Sequence, residues 1–147
     1  MIAIRRFVCE DAETVRQILY PDMEISRVSE MIDEWNSGFY QGRRFETFAI
    51  LSDGRIVGYV SLYEHGRQIA SLGVEVIAEE RGKGAAFEAL SLLMQYASEN
   101  GYRIILDQVR EDNPASIRLH RKLGFESDGY VYRNQRDHRV ILYLKAI

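Results

Sequence analysis

A glycine-rich segment, EERGKGAA at positions 79–86, separates an apolar, β-branched run from a long amphipathic pattern. Glycine lets a backbone come close to a ligand, and the first turn of a helix presents free N–H groups at the positive end of its dipole. Arg81 and Lys83 add positive charge beside these groups. The segment therefore predicts an anion site suited to phosphate or pyrophosphate, although a solvated surface turn explains the same residues equally well.

Hydrophobic periodicity predicts the elements that would hold this loop in the order β-α-α-β-β-β-α-β-α-β-β. The predicted strands are 2–7, 47–51, 55–63, 68–77, 103–109, 130–133 and 140–144, and the predicted helices are 12–20, 26–36, 85–100 and 113–123. This order indicates one mixed α/β domain over residues 1–147, with an antiparallel meander followed by a β-α-β crossover. A sheet that is antiparallel before the loop does not fit a dinucleotide-binding Rossmann fold, and a full GxGxxG motif is also missing.

Composition limits the classes of protein to consider. The chain has 147 residues and a net charge of −3, which argues against a general nucleic-acid coat protein. Cys9 is the only cysteine, so an intrachain disulfide and a CxxC metal site are excluded. Apolar runs are too short to span a membrane, and the first residues carry acids and arginines that do not suit a secretory signal. We therefore expect a cytoplasmic protein without membrane contact.

Two motifs resemble those of the GNAT superfamily of N-acetyltransferases. Arg81-x-x-Gly84-x-Ala86 resembles the family's (Q/R)-x-x-G-x-(G/A) loop, which binds the pyrophosphate of acetyl-coenzyme A. The segment NPASIRLHRKLGF at 113–125 is similar to the family's N-x-x-(A/S)-x-x-x-(Y/H)-x-K-x-G-F pattern, at the family's spacing. The order of elements matches over essentially the whole chain. GKGAAFEAL further resembles the branch that acetylates ribosomal-protein N-termini and its polyamine-acetylating relatives.

The resemblance implies a mostly antiparallel central sheet whose strands splay apart around the pantetheine of acetyl-CoA, with residues 106–109 on the far side. The transfer it implies is direct and needs no metal. The residues that would bind the cofactor are Val74, Val76, Ile77, Arg81, Gly82, Lys83, Gly84, Ala85, Ala86, Asn113 and Ser116. Three of these assignments have a structural alternative, since plain sheet packing explains Val74 and Val76, and Asn113 is a natural helix N-cap.

For proton transfer, the resemblance implies His120 as the acid for the thiolate, where many family members have tyrosine. A histidine there is also explained as a hydrogen-bonded helix residue. Glu75, on the strand that leads to the loop, is the candidate base, and a solvent-facing strand carboxylate is its alternative explanation. Further candidates, which the sequence does not rank, are Glu64, His65 and Asp107.

The acceptor is left open among a small-molecule amine, a polyamine, an antibiotic amine and a protein N-terminus. Trp35, Phe39 and Tyr40 lie where the family forms its acceptor-side lid, although a tryptophan at helical spacing is more typical of a core. A non-catalytic acyl-CoA-binding module is the alternative function. Nucleic-acid binding through the basic C-terminal end, which includes Arg133 and Arg136, is a third. The oligomeric state is left open, with a homodimer among the alternatives.

Three tyrosines near the C-terminal end alternate on the predicted strands. They are Tyr130, Tyr132 and Tyr143. This alternation favours a place in the core over a base-stacking platform for nucleic acid.

Overall fold

The computed structural model describes all 147 residues, and its strands form one open sheet with helices on both faces. The strands are β1 (Ile2–Arg6), β2 (Phe39–Tyr40), β3 (Arg43–Ser52), β4 (Arg55–Gly66), β5 (Ile69–Val76), β6 (Ile104–Arg110), β7 (Val131–Arg133) and β8 (Arg139–Ala146). The helices are α1 (Ala12–Leu19), α2 (Ile25–Ser37), α3 (Ala85–Glu99) and α4 (Pro114–Lys122). None of these helices has the length and apolar character needed to cross a bilayer.

The sheet has the order β1-β3-β4-β5-β6-β8-β7, and β2 pairs with the outer part of β3. Every neighbouring pair is antiparallel except β5 and β6, which are parallel and joined by the crossover helix α3. A parallel pair needs such a crossover because the chain must return to the same end of the sheet. The mixed α/β fold, the antiparallel meander and the β-α-β crossover predicted from the sequence are confirmed.

The parallel contact between β5 and β6 is short. Only Ile69 with Ile104 and Ala70 with Ile105 are paired, at the start of both strands. Beyond these positions β5 remains paired with β4, and β6 remains paired with β8, while the facing edges of β5 and β6 separate. The predicted splay is therefore present, and it ends beside the glycine-rich loop that follows β5.

Two apolar clusters fix the helices on opposite faces. The larger cluster packs α3 against the sheet through fully buried residues such as Leu93, Ala97 and Ile105. The smaller cluster packs α1 and α2 against the other face. Trp35 belongs to this second core, where its ring lies 4.9 Å from that of Phe7, so the core explanation of this tryptophan is correct.

The edges of the sheet depart from the sequence prediction. β3 begins four residues earlier than predicted, and β2 was not predicted because a two-residue strand has no detectable periodicity. Tyr130 and Tyr132 were expected in the core and are exposed. Tyr132 lies on β7, the last strand of the sheet, and Tyr130 lies just before it. Both side chains point to the same face of the sheet, but no helix covers that face at this edge. Tyr143, on the more central β8, is buried as expected.

A buried carboxylate ties β1, β3 and α3 together. Glu46 is 3% exposed and accepts a hydrogen bond from the Tyr96 hydroxyl at 2.7 Å. It also pairs with Arg6, and its second oxygen lies 3.0 Å from Nε of Arg44. Burial acts to raise the pKa of Glu46, but the hydrogen bonds from Tyr96 and Arg6 and the two guanidinium charges lower it below its ordinary value. The carboxylate is therefore charged and compensated.

We predict that Glu46→Gln lowers the free energy of unfolding by about 3 kcal/mol, because it leaves two guanidinium groups without their buried partner. Urea denaturation of both proteins measures the difference. Glu13→Gln is the matched control, since Glu13 pairs with Arg16 on the solvent-exposed surface of α1 and such pairs contribute little. Equal losses in the two variants would contradict the role assigned to Glu46.

Candidate active site

The loop between β5 and α3 presents a row of unpaired backbone donors. Gly82 and Gly84 have positive φ angles of 77° and 86°, and Gly84 is the N-cap of α3 without any side-chain cap. The backbone N–H groups of positions 82–87 donate to no acceptor within the chain. Such a run of N–H groups at a helix N-terminus suits an anion, and its assignment to pyrophosphate stays a prediction.

The positively charged side chains around this loop form ion pairs with carboxylates. The Arg81 Nε donates to the carbonyl of Val76 at 2.8 Å, and its terminal nitrogen lies 3.0 Å from Glu75. Lys83 lies 3.3 Å from Glu80. Arg81 is thus folded back against the end of β5 and close to the gap. Glu75, whose side chain is 48% exposed, is the partner of this arginine and lies outside the wall of the large cavity described below.

The facing edge of β5 carries free main-chain groups along the gap. Leu72 directs its N–H toward β6, where the carboxylate of Asp107 accepts it at 2.8 Å. Because backbone direction repeats every two residues, the corresponding groups of Val74 and Val76 also face the gap, and β5 has no strand partner there. The Val76 carbonyl meets Arg81, and the side chains of both valines pack toward the α3 core. The side chains of Val74 and Val76 therefore pack in the core, while their main-chain groups face the gap.

A buried carboxylate–imidazole pair lies at the inner end of the gap. Asp107 of β6 and His120 of α4 are 4% and 6% exposed, and the Nε2 of His120 lies 2.8 Å from the second oxygen of Asp107. The Nδ1 of His120 lies 2.8 Å from the Ser116 carbonyl. A carbonyl and a carboxylate both accept, so the ring donates through both nitrogens when Asp107 is ionised. The pair links α4 to β6 and, through Leu72, to β5.

The protonation of His120 follows from this arrangement. Burial acts to lower the pKa of His120, but the hydrogen bond to Asp107, the bond to the Ser116 carbonyl and the charge of Asp107 together raise the pKa above its ordinary value. The surroundings of His120 therefore favour its protonated form more than water does. Sequence reasoning named both residues without pairing them, because they are far apart in the chain.

Asn113 and Ser116 form the start of α4. The side-chain oxygen of Asn113 accepts from the Ser116 N–H at 3.1 Å, and Pro114 follows as the first helical residue. The N-cap explanation of Asn113 is therefore present in the structure, and its amide nitrogen has no partner within the chain. Ser116 also contributes the carbonyl that orients His120.

A cavity of about 920 Å³ opens at this same inner end of the gap, away from the glycine-rich loop, on the face that carries α1 and α2. Its floor is formed by the end of β4, the first half of β5 and the middle of β6. One wall is the β2 region, and the opposite wall is the loop between β7 and β8. The lining residues are Tyr40, Gln41, Phe45, Tyr63, His65, Ser71, Leu72, Leu106, Asp107, Gln108, Arg133, Asn134, Gln135 and Arg136. The cavity thus contacts the gap directly at Leu72 and Asp107.

A hydrogen-bonded row crosses the floor of this cavity. The Ser71 hydroxyl donates its hydrogen to the Leu106 carbonyl at 2.5 Å, and the Nε2 of His65 lies 2.6 Å from the same hydroxyl oxygen. His65 must then donate through Nε2, which leaves its Nδ1 as an unpaired acceptor when the ring is neutral. Glu64 lies on the opposite face, where it accepts from Tyr102 at 3.1 Å.

Comparison with known proteins identifies the family of the chain. The model of the acetyltransferase (GNAT) family matches residues 12–125. The chain belongs to the GNAT acetyltransferase family. The matched range includes both the glycine-rich loop and the segment that carries His120, so the two motifs recognised in the sequence lie within the family's shared region.

Individual relatives support the same membership. An uncharacterised N-acetyltransferase of Bacillus subtilis derived from the SPbeta prophage, YokL, is 30% identical over 81% of this chain and 68% of its own length. An L-methionine sulfoximine/L-methionine sulfone acetyltransferase of Pseudomonas paraeruginosa is 35% identical over 52% of this chain and 47% of its own length, so the match spans about half of that relative. RimJ of Mycobacterium smegmatis, solved with CoA-disulfide, has the same fold, with a TM-score of 0.85, 19% identity, and coverage of 99% of this chain and 81% of RimJ.

The sequence alone did not predict most of the residues that line the cavity. Tyr63, Ser71 and Gln108 were not considered, and Arg133 and Arg136 were interpreted only as part of a basic C-terminal end. The alternation of Ser61 and Tyr63 with the core residues Val60 and Leu62 carries the signal for Tyr63, because it places that side chain on the face opposite the larger core. No local sequence pattern predicts that the β7–β8 loop lies beside the gap, since its position depends on the order of strands in the sheet.

We predict that the Asp107–His120 pair stabilises the fold in a pH-dependent manner. Since the pKa of His120 is raised in the folded state, its contribution is complete below the unfolded value of about 6.5 and is lost as pH rises through the higher folded value. The difference in free energy of unfolding between the wild type and His120→Gln should therefore decrease from about pH 5.5 to about pH 9. Urea titrations across this range measure it, and a constant or increasing difference would contradict the assignment.

Proposed function

We propose that the protein transfers the acetyl group of acetyl-CoA directly to a primary amine. The observation that carries this proposal is the continuity of three features: free backbone donors at the glycine-rich loop, an open gap between β5 and β6, and a cavity at the far end of that gap. A long, anionic thioester would occupy the first two features, and an acceptor would occupy the third. The acetyltransferases among its relatives support the same reaction class.

The pyrophosphate would bind to the N–H groups of positions 82–87, which include Lys83, Ala85 and Ala86. Pantetheine would lie in the gap, between the free edge at Val74 to Ile77 and the facing edge of β6. Asn113 and Ser116 would contact the cofactor from the start of α4, where the Asn113 amide nitrogen is available. The residues present fit the group, because the donors it needs are unpaired and Gly84 has no atoms within 4 Å of the position of an added Cβ.

The reaction begins with loss of a proton from the acceptor ammonium. The amine nitrogen then attacks the thioester carbonyl carbon, and the carbon–sulfur bond breaks as the amide forms. The electron pair of that bond stays on sulfur, which leaves as thiolate and takes up a proton to give CoA. A thiol pKa near ~8.5 makes this leaving group acceptable without a strong acid. Holding the two reactants together in the gap supplies much of the rate.

The structure supports His65 as the group that accepts the proton. Its Nδ1 is unpaired, it lines the acceptor cavity, and its hydrogen bond to Ser71 fixes the ring beside the gap. Glu75, the base proposed from the sequence, is bonded to Arg81 and stands closer to the pyrophosphate loop. Glu75 acting through a water molecule is the alternative to His65 as the base. In our proposal its main role is to position Arg81.

His120 has a less direct role than the tyrosine of many family members. Both ring nitrogens already donate to Ser116 and Asp107, and the side chain is buried. As an imidazolium it would balance the charge of Asp107 beside the gap. Transfer of its proton to the thiolate would require that one of these hydrogen bonds breaks. We therefore assign His120 primarily as the residue that positions Asp107.

We predict that wild-type protein binds acetyl-CoA with micromolar affinity and that Gly84→Glu weakens binding at least about 100-fold, because it places a carboxylate against the pyrophosphate site. Calorimetric titration measures both. Gly84→Ala is the matched control, since it imposes the same positive φ without charge and should weaken binding by about tenfold or less. Absence of acetyl-CoA binding by folded wild-type protein would overturn the proposed function.

We predict that His65→Gln lowers kcat by about 100-fold, with little change in the KM for acetyl-CoA. The acidic limb of the kcat/KM pH profile, which reports protonation of the base, should disappear. Glu75→Gln should instead raise the KM for acetyl-CoA and retain that limb, because it releases Arg81. Steady-state kinetics across pH separates the two groups. Loss of the limb in Glu75→Gln alone would reassign the base to Glu75.

A further inference from the structure

The charge of the acceptor cavity is unbalanced. Two guanidinium groups, those of Arg133 and Arg136, lie in its wall, and the only carboxylate there is Asp107. Asp107 is buried and is already occupied by His120 and the Leu72 N–H. No lining residue therefore offers a free carboxylate to a cationic acceptor. A polyamine, which relies on several anionic contacts, would meet positive charge without compensation.

The two arginines differ in availability. Arg133 donates to Asp137 at 2.8 Å within the same loop, so its charge is largely balanced. Arg136 has an exposed side chain without an ion-pair or hydrogen-bond partner, while its backbone N–H is fixed by the side chain of Asn134 at 3.0 Å. The Asn134 amide in turn donates to Gln108 on the cavity floor at 3.0 Å. The loop that carries Arg136 is thus anchored to β6 and holds this guanidinium at the cavity.

The opposite wall is aromatic. Tyr40 and Phe45 have ring centroids 6.1 Å apart, Phe45 and Tyr63 are also 6.1 Å apart, and Tyr63 and His65 are 5.2 Å apart. These rings form a continuous series from the rim at β2 to the floor at β4. Tyr40 is exposed, although aromatic side chains of this size usually bury most of their area. The series offers a surface on which a flat or apolar group can pack.

We propose that the acceptor is an amine that also carries an anionic group and an apolar or aromatic body. The anion binds the fork of donors on Arg136, which suits both carboxylate and phosphate. The apolar body packs on Tyr40, Phe45 and Tyr63, and the amine then lies at the floor near His65 and the gap. This inference rests on the proposed acetyl transfer and narrows its substrate class, excluding polyamines as preferred acceptors.

Matched amines test the proposal. Phenylalanine differs from phenethylamine by one carboxylate, and O-phosphotyramine differs from tyramine by one phosphate. With acetyl-CoA and wild-type protein, release of CoA should give a kcat/KM at least about tenfold higher for the anionic member of at least one pair. The pair that shows the preference identifies the anion. Spermidine should be the poorest acceptor of the panel.

Arg136→Gln should reduce that preference to about one by lowering kcat/KM for the anionic amine, with the uncharged amine unaffected. Arg67→Gln is the matched control, since Arg67 is also exposed, lies in the turn after β4 and does not line the cavity. It should retain the preference. Equal values for both members of both pairs, a preference for spermidine, or an equal effect of the two substitutions would each overturn the proposal while leaving acetyl transfer intact.

A binding measurement makes the test independent of turnover. The acetylated products of the same pairs are titrated into the protein saturated with CoA, and their dissociation constants are compared by calorimetry. Tighter binding of an anionic product, lost in Arg136→Gln, supports the proposal even if no amine of the panel is acetylated. Equal binding of the charged and uncharged products, or no saturable binding of any, overturns it. Failure of acetyl-CoA itself to bind would instead reject the proposed function.

Discussion

The early end of pairing between β5 and β6 is the constraint on which the rest of the site depends. A parallel pair normally continues along both strands, and here side chains replace the next rungs of the ladder. Ser71 reaches the Leu106 carbonyl, and Asp107 reaches the Leu72 N–H. These bonds satisfy main-chain groups at the point of separation without closing the gap. The edge beyond them stays free to pair with a ligand, as an edge strand does with an added chain.

The Asp107–His120 pair explains how a charged residue can be tolerated at this position. A carboxylate buried alone would cost several kcal/mol, and its pairing with an imidazolium offsets that cost. The pair is also the point where α4 is joined to the sheet edge, because His120 is oriented by Ser116 of its own helix. A histidine can make both contacts at once, one from each ring nitrogen, whereas a tyrosine hydroxyl offers a single donor. The departure from the family's tyrosine is therefore consistent with a structural task.

Local patterns were sufficient to predict the loop, the crossover helix and the Asn113 cap, because each depends on residues within a few positions of one another. The free N–H groups of 82–87 follow directly from two glycines placed before an apolar helical stripe. Contacts between distant strands could not be predicted in this way. The pairing of Glu75 with Arg81, of Asp107 with His120, and the approach of Arg136 to the gap all require strand order and register. The same reason explains Tyr130 and Tyr132, whose alternation is correct but whose strand lies at an uncovered edge.

The charges on the two sides of the gap lead to one consequence for the chemistry. At the glycine-rich loop, Arg81 and Lys83 are partly balanced by Glu75 and Glu80, and donors for an anion come mainly from the backbone. At the cavity the free charge is the guanidinium of Arg136. An ammonium group therefore finds no carboxylate that would hold it in its charged form. In the proposed reaction, a site that binds the acceptor by its anionic part and meets its amine with an imidazole would leave the amine easier to deprotonate than a carboxylate-lined site would. Recognition and activation of the acceptor would then be separate tasks, the first performed by the β7–β8 loop and the second by the end of β4.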